Sequence, residues 1–299
     1  MRAAGAALLL LCGAAGCDEG ATASRTAALG AESGVWELRT PAQSPPARGL
    51  HAAAYDSARR VLVVFGGTGG SYLNDTWEWN GTSWVNRAPG TAPSVRGGHA
   101  MAYDASRGVT VLFGGSTFHG NSWFGDTWEW NGTNWAQRAT TGPPARARHA
   151  LAYDSGRRVA VLFGGSDRQG NLLGDTWEWN GTAWWQRASA TARERHAMAY
   201  DAARQRIVLY GGSTDQGSGG YLSDTRTYDG TVWTPQAAGP SVRADHALAF
   251  DGARAKLVLF GGYAGVPLGD TAERDATAWA PVAVTGPSAR SQAALAFDD

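Results

Sequence analysis

The chain has 299 residues, enough to bury a sizeable core either as one large domain or as an array of repeats. Its 26 basic and 26 acidic residues cancel and neither sign runs in blocks, so the clustered positive charge of a nucleic-acid footprint is missing. Lys256 is the lone lysine, a bias that reads as codon usage in a GC-rich genome and not as a guanidinium-specific function.

The first residues read as an export signal: Arg2 gives a positive start, Ala3 to Leu11 an apolar run, and Gly13-Ala14-Ala15-Gly16 a small-residue stretch. The run is too short for a membrane-spanning helix. Cys17 follows at once, and Ala14-Ala15-Gly16-Cys17 resembles a bacterial lipobox, with Ala14 where such boxes usually carry leucine. The resemblance implies a lipid on Cys17 and an exported protein at the periplasm or cell surface, in touch with the membrane through that anchor only. Ordinary cleavage near Gly16, leaving a free cysteine, is the other reading. Residues 1–17 are thus a signal with its lipobox-like cleavage site; in both cases Cys12 departs with the signal, and the mature chain has no disulfide. Residues 18–34, rich in Ala, Gly, Ser and Thr, read as a flexible tether to a domain over 35–299.

That domain is repetitive. Gly66-Gly67, Gly114-Gly115, Gly164-Gly165, Gly211-Gly212 and Gly261-Gly262 recur every 47 to 50 residues, and His51, His99, His149, His196 and His246 keep the same step. Each unit holds four strand-like pieces. In the third, residues 149–154 alternate small and large side chains, and Val159 to Phe163 is the continuous apolar run of a strand buried on both faces. Asp175-Thr-Trp-Glu-Trp179 alternates with period two, which puts both tryptophans on one face. Asn180-Gly181 predicts a two-residue hairpin with positive φ at both positions, and Trp184 opens a fourth strand. Asn-Gly-Thr at 80–82, 131–133 and 180–182 also matches a glycosylation acceptor, but a hairpin tip explains it without sugar. Four short antiparallel strands, repeated radially, are the plan of an all-β propeller.

These residues resemble the kelch family, whose repeats carry a Gly-Gly doublet after the second strand and spaced aromatics on the third and fourth. The repeats run over about 48–95, 96–145, 146–192, 193–242 and 243–289, with a partial one at 290–299. The step of five from Trp79 to Trp84 is tighter than usual for kelch repeats, and Trp77 and Trp79 give way to Arg226 and Tyr228, then to Ala272 and Arg274. Val35 to Arg39 reads as a lone fourth strand and Ser291 to Asp299 as a lone first strand. The expected fold is therefore five complete four-stranded blades plus an incomplete sixth shared by the termini. The half blade reads as a truncated copy of a longer protein, or as a minimal closing blade of a complete one.

Strand order puts the links between units and the loops after Gly-Gly on one face, here the upper, and the Asp-x-x-Arg and Asn-Gly-Thr turns on the lower. The lower turns are uniform, whereas the upper loops differ from unit to unit. A particular ligand needs asymmetric surroundings, so Tyr72, Phe118, His119, Trp123, Phe124, Asp167, Arg168, Tyr221 and Tyr263 are the upper-face candidates. The pairs Arg48/His51, Arg96/His99, Arg146/His149, Arg193/His196 and Arg243/His246 are expected to ring the upper mouth of the channel. There the guanidinium groups either clamp a carboxylate or sulfate or bridge blades through backbone carbonyls. The Trp-x-Trp pairs are expected to pack blade against blade.

No metal site is expected, because no second ligand recurs at coordinating spacing, and no cofactor is called for. The kelch resemblance includes copper-radical oxidases, which need a Tyr-Cys crosslink, and no cysteine follows Cys17. Neither Gly-x-Ser-x-Gly nor His-Glu-x-x-His occurs. The sequence thus reads as a monomeric, non-catalytic binding or scaffolding propeller of the cell envelope, taking a protein, peptide or glycan on its upper face. An enzyme resembling the kelch-type sialic-acid mutarotases, with an arginine clamp and a histidine acid/base, is the alternative.

Overall fold

The structure is a computed structural model that describes residues 7–11, 26–30, 36–117, 122–215, 219–283 and 286–298. Among these there is no helix, and the strands form five four-stranded antiparallel sheets in repeat order. Blade 1 comprises Ala52–Asp56, Val61–Thr68, Tyr72–Trp79 and Trp84–Arg87. Blade 2 comprises Ala100–Asp104, Val109–Phe113, Thr127–Trp130 and Trp135–Ala139, and blade 3 Ala150–Asp154, Val159–Phe163, Asp175–Trp179 and Trp184–Ser189. Ala197–Asp201, Arg206–Tyr210, Thr225–Tyr228 and Trp233–Gln236 make blade 4. Ala247–Asp251, Lys256–Tyr263, Pro267–Arg274 and Trp279–Val282 make blade 5.

The innermost strand of each blade touches that of the next, and Ala294–Asp298 closes the circle between blades 5 and 1. A sixth sheet is thus shared by the two termini, as the sequence predicts. Its inner strand is Ala294–Asp298 and its outer strand Trp36–Arg39. The two positions between them, which the sequence reading leaves open, hold the backbone of Ala7–Leu11 and Thr26–Gly30 in antiparallel register. The apolar run read as an export signal is therefore also paired as a strand, Leu9 opposite Ala296.

Burial is greatest at the second strand of each blade and falls toward the outer edge. Inner strands carry alanine at alternate positions, which lets six strands converge on one axis. The second strands are sandwiched between neighbouring sheets, so Val63, Val111, Val161, Val208 and Val258 are 0–1% exposed. The third strands bring Trp79, Trp130 and Trp179 into the seams, also fully buried. Only the first residue of most fourth strands is buried, and the exposed remainder mixes polar residues such as Asn86, Arg87, Gln186 and Arg187 with Val85 and Trp185.

The glycine doublets have a steric cause. In blade 1, Gly66 and Gly67 both have positive φ (60° and 93°). A Cβ on Gly66 would lie 2.9 Å from the Arg96 carbonyl oxygen of the next blade, and one on Gly67 2.6 Å from the Gly49 oxygen. Only glycine lets strand and hub approach so closely. The turn after the third strand differs from the expected two-residue hairpin. Residues 180–183 connect the strands, Gly181 alone among them has positive φ, and Asn180 Oδ1 accepts from the amides of Thr182 and Ala183 at 2.9 Å each. The asparagine carboxamide satisfies amides that a tight hairpin would leave to strand pairing.

Candidate functional site

Each repeated arginine is spent inside its own blade. Arg146 donates from Nη1 to Asp175 Oδ1 at 2.6 Å and to the Gly164 carbonyl at 3.1 Å, from Nη2 to Asp175 Oδ2 at 2.8 Å, and from Nε to the Pro144 carbonyl at 3.1 Å. Arg48 with Asp75, Arg96 with Asp126, Arg193 with Asp224 and Arg243 with Asp270 repeat the fork. All five arginines are 0–1% exposed. Burial alone would raise the Asp175 carboxyl, but the guanidinium overrides it and holds the group below the ordinary carboxylate range. The expectation that these arginines ring the channel mouth is corrected: they pin the start of the first strand to the start of the third. Trp177 Nε1 adds a donor to Asp175 Oδ2 at 2.6 Å, and in blade 4 the replacement residue Arg226 does the same for Asp224 at 2.9 Å.

The histidines lie at the mouth but turn into the seams between blades. His149 meets Phe113 of the preceding blade edge to face at 5.5 Å, and His99, His196 and His246 repeat this on Phe65, Phe163 and Tyr210. His99 Nε2 also lies 3.1 Å from the Phe65 carbonyl. Burial, reinforced by the neighbouring arginine, lowers His51 to about 4 and His149 and His246 to about 3, so all are neutral near pH 7. Among the described residues no cluster of His, Cys, Asp and Glu is arranged to hold a metal ion.

What the sequence reading passed over lies between these pairs. In each Arg-x-x-His the residue just before the histidine is left-handed: Leu50 (φ 55°), Gly98 (66°), Arg148 (58°), Arg195 (59°) and Asp245 (53°), with Gln292 (57°) in the sixth position. Five backbone hydrogen bonds join them around the axis. Gly98 N donates to Leu50 O at 2.8 Å, Arg148 N to Gly98 O at 2.7 Å, Arg195 N to Arg148 O and Asp245 N to Arg195 O at 2.9 Å, and Gln292 N to Asp245 O at 2.8 Å. All six line a cavity of about 140 Å³ at the upper mouth, above the histidines. Five non-glycine residues at positive φ are costly, and such strain gathers where side chains must point into a site.

This collar is lopsided. Leu50 and Gly98 leave one half apolar, while Arg148, Arg195, Asp245 and Gln292 make the other half polar. Glu194, 0% exposed, sits beneath that polar half and is held by Ser166 Oγ, which donates at 2.6 Å. Its carboxylate accepts from Arg148 Nη1 at 3.3 Å and pairs with Arg195 Nε at 3.3 Å, so it fixes both guanidinium groups. Asp245 lies 3.8 Å from Arg195 Nη1, and burial raises its carboxyl against the pull of that arginine. The variable position within an otherwise invariant motif was the available signal.

The described upper-loop candidates are distributed around the rim, Arg168 exposed and the others partly buried. Tyr72 reaches over the hub of blade 2, where a Cβ on Gly97 would sit 3.3 Å from its ring. Phe124 is not a free binding edge, because the Arg96 guanidinium stacks 4.0 Å from its ring centre. Tyr221 and Tyr263 pack together at 6.1 Å, Trp123 pairs in a short strand with Ser116, and Asp167 caps its own turn by accepting from Asn171 N at 2.8 Å. Phe118 and His119 lie outside the described residues, as does Cys17.

The sequence matches the family model described as the KLHDC2/KLHL20/DRC7 Kelch-repeats domain over residues 2–191. The chain belongs to the kelch-repeat family. Among solved structures, the kelch propeller is similar to one titled "Structure of YjhT", with a TM-score of 0.71 and 16% identity over 87% of this chain and 91% of that one. That likeness shows the shared fold. No curated protein matches the chain.

Proposed function

We propose that this kelch propeller is a binding or scaffolding protein of the bacterial cell envelope that holds a protein, peptide or glycan at its upper mouth. The kelch propeller fold supports the binding or scaffolding role. The collar carries the finer reading: a uniform frame presents six left-handed residues of unlike chemistry, two arginines among them oriented by a buried glutamate. Such an amphipathic rim suits a ligand with one apolar edge and one charged or hydroxylated edge. Export, a lipid on Cys17 and a monomeric state belong to the same proposal and rest on the sequence alone.

The mutarotase-like alternative has less support. The arginines it would use as a clamp already hold aspartates, and a histidine lowered to about 3 holds no proton to give near neutral pH. Screening the full chain on peptide and glycan arrays, then titrating any hit against Arg195→Gly and Asp245→Gly, tests the proposal. Glycine accepts the left-handed backbone, so binding should weaken at least tenfold while the melting midpoint stays put. Unchanged binding by both variants would remove the collar as the site, and anomer interconversion by the wild type would favour the enzyme.

A further inference from the structure

The seam between blades 4 and 5 breaks a rule that the first three seams keep. In blades 1 to 3 the middle of the third strand is Glu78, Glu129 or Glu178, each 2–3% exposed. Glu78 accepts from Arg59 at 2.7 Å and Arg87 at 2.8 Å in its own blade, and from Trp130 Nε1 of the next blade at 2.9 Å. Blade 4 has Thr227 at that position and Gln236 in place of the outer arginine, and the two bond to each other at 3.2 Å. Blade 5 presents no indole there. It presents Arg274, only 2% exposed.

A guanidinium thus replaces a neutral donor at the seam that has lost its carboxylate. Arg274 Nη1 donates to its neighbouring carbonyl, Asp275 O, at 3.2 Å, but Nε and Nη2 are buried without a hydrogen-bond partner. They lie in a cavity of about 240 Å³ lined also by Arg204, Arg206, Thr227 and Gln236. Asp201 is the one carboxylate in that lining, and it is already engaged by Arg204 Nη1 at 2.7 Å. Buried unsatisfied donors on a charged group are expensive, and three arginines facing one aspartate leave the cavity electropositive.

We propose that this cavity binds a small oxyanion, a carboxylate, sulfate or phosphate group, whose oxygens stand where Glu78, Glu129 and Glu178 put theirs. The site lies between the lower-face turns of blades 4 and 5, apart from the upper mouth, and does not depend on the function proposed for the collar. Thr227→Glu builds the carboxylate in, and Arg274→Leu removes the charge that needs it. The test is the thermal midpoint of the full chain at constant ionic strength, with sodium chloride replaced stepwise by acetate, sulfate or phosphate. The wild type should show a saturable rise of roughly 3–5 °C at about ten times the dissociation constant for at least one of these anions. Thr227→Glu should start from a higher midpoint and lose the saturable response, and Arg274→Leu should lose it as well. Should Thr227→Glu fail to fold, Arg274→Leu still makes the comparison. General anion exclusion raises all three proteins alike and without saturation, and that result, or no response in the wild type, overturns the proposal.

Discussion

The indole Nε1 of Trp135 donates to Thr76 Oγ1 across the seam between blades 1 and 2 at 2.9 Å. Trp184 and Thr127, Trp233 and Thr176, and Trp279 and Thr225 repeat the bond at 2.8 to 3.0 Å at the next three seams. The pair at the following seam is Trp36 and Thr271, and there neither Nε1 nor Oγ1 has a partner. The seam beside the shared sheet is the one whose ladder fails.

That difference is measurable. Thr76→Val leaves a buried indole donor unpaired and should cost about 1–3 kcal/mol in chemical denaturation. Thr271→Val removes a hydroxyl that bonds to nothing and should be neutral or slightly stabilising. Equal losses at both seams would show that the hydroxyls matter only through their volume.

Two arginines two residues apart should behave differently. Arg146→Lys keeps the charge but cannot fork onto Asp175 and should cost about 3–5 kcal/mol, close to the loss for breaking a buried ion pair. Arg148→Gly should cost about 1–2 kcal/mol, clearly less, because it relieves a left-handed backbone and the buried Glu194 that loses it keeps Ser166 and Arg195 as partners. Denaturant unfolding of the two variants side by side checks both.

Acid should loosen the ring in two stages. Above pH 6.5 folded and unfolded chains both hold the imidazoles neutral. Between 6.5 and about 4 only the unfolded chain takes up the proton, since folding lowers His51 to about 4 and His149 and His246 to about 3. Stability therefore falls as pH falls through that window. Only below the ordinary carboxylate range do Asp75, Asp126 and Asp175 lose the ion pairs that folding had strengthened. Urea midpoints at pH 7.5, 5 and 3.5 should decline at each step, and His149→Gln should reduce both declines by about the same amount, because the window for His149 runs from 6.5 down to about 3.

The proposed processing at Cys17 would remove the segment Ala7–Leu11 that pairs with Ala294–Asp298. A chain that begins at Cys17 keeps Thr26–Gly30 and Trp36–Arg39 but lacks the partner of Ala294–Asp298. Amide exchange at 294–298 should then be fast in a chain that begins at Cys17 and slow in one retaining residues 1–16. The mass of the exported N-terminus shows which form is present.

The repeat, the strand order and the packing role of the tryptophans were legible because each rests on short, regular spacing. The arginine forks were not: their partners lie 27 to 31 residues away across loops of unequal length, so no fixed interval announces them. The collar stayed hidden for a different reason. Arg146 and His149 recur in every blade, while Arg148 between them, at the position that differs from blade to blade, is among the residues facing the cavity. Backbone handedness at Arg148 decides that, and no side-chain pattern encodes it.

The circle of amides from Leu50 to Gln292 has an electrical corollary. Its peptide dipoles run head to tail around the axis, so their vectors very nearly cancel at the centre, unlike those aligned along a helix. These five bonded peptide units therefore add little net dipole at the mouth. Whatever polarity a visitor meets there is written by six side chains, and a paralogue could invert it by exchanging them while every strand stays where it is.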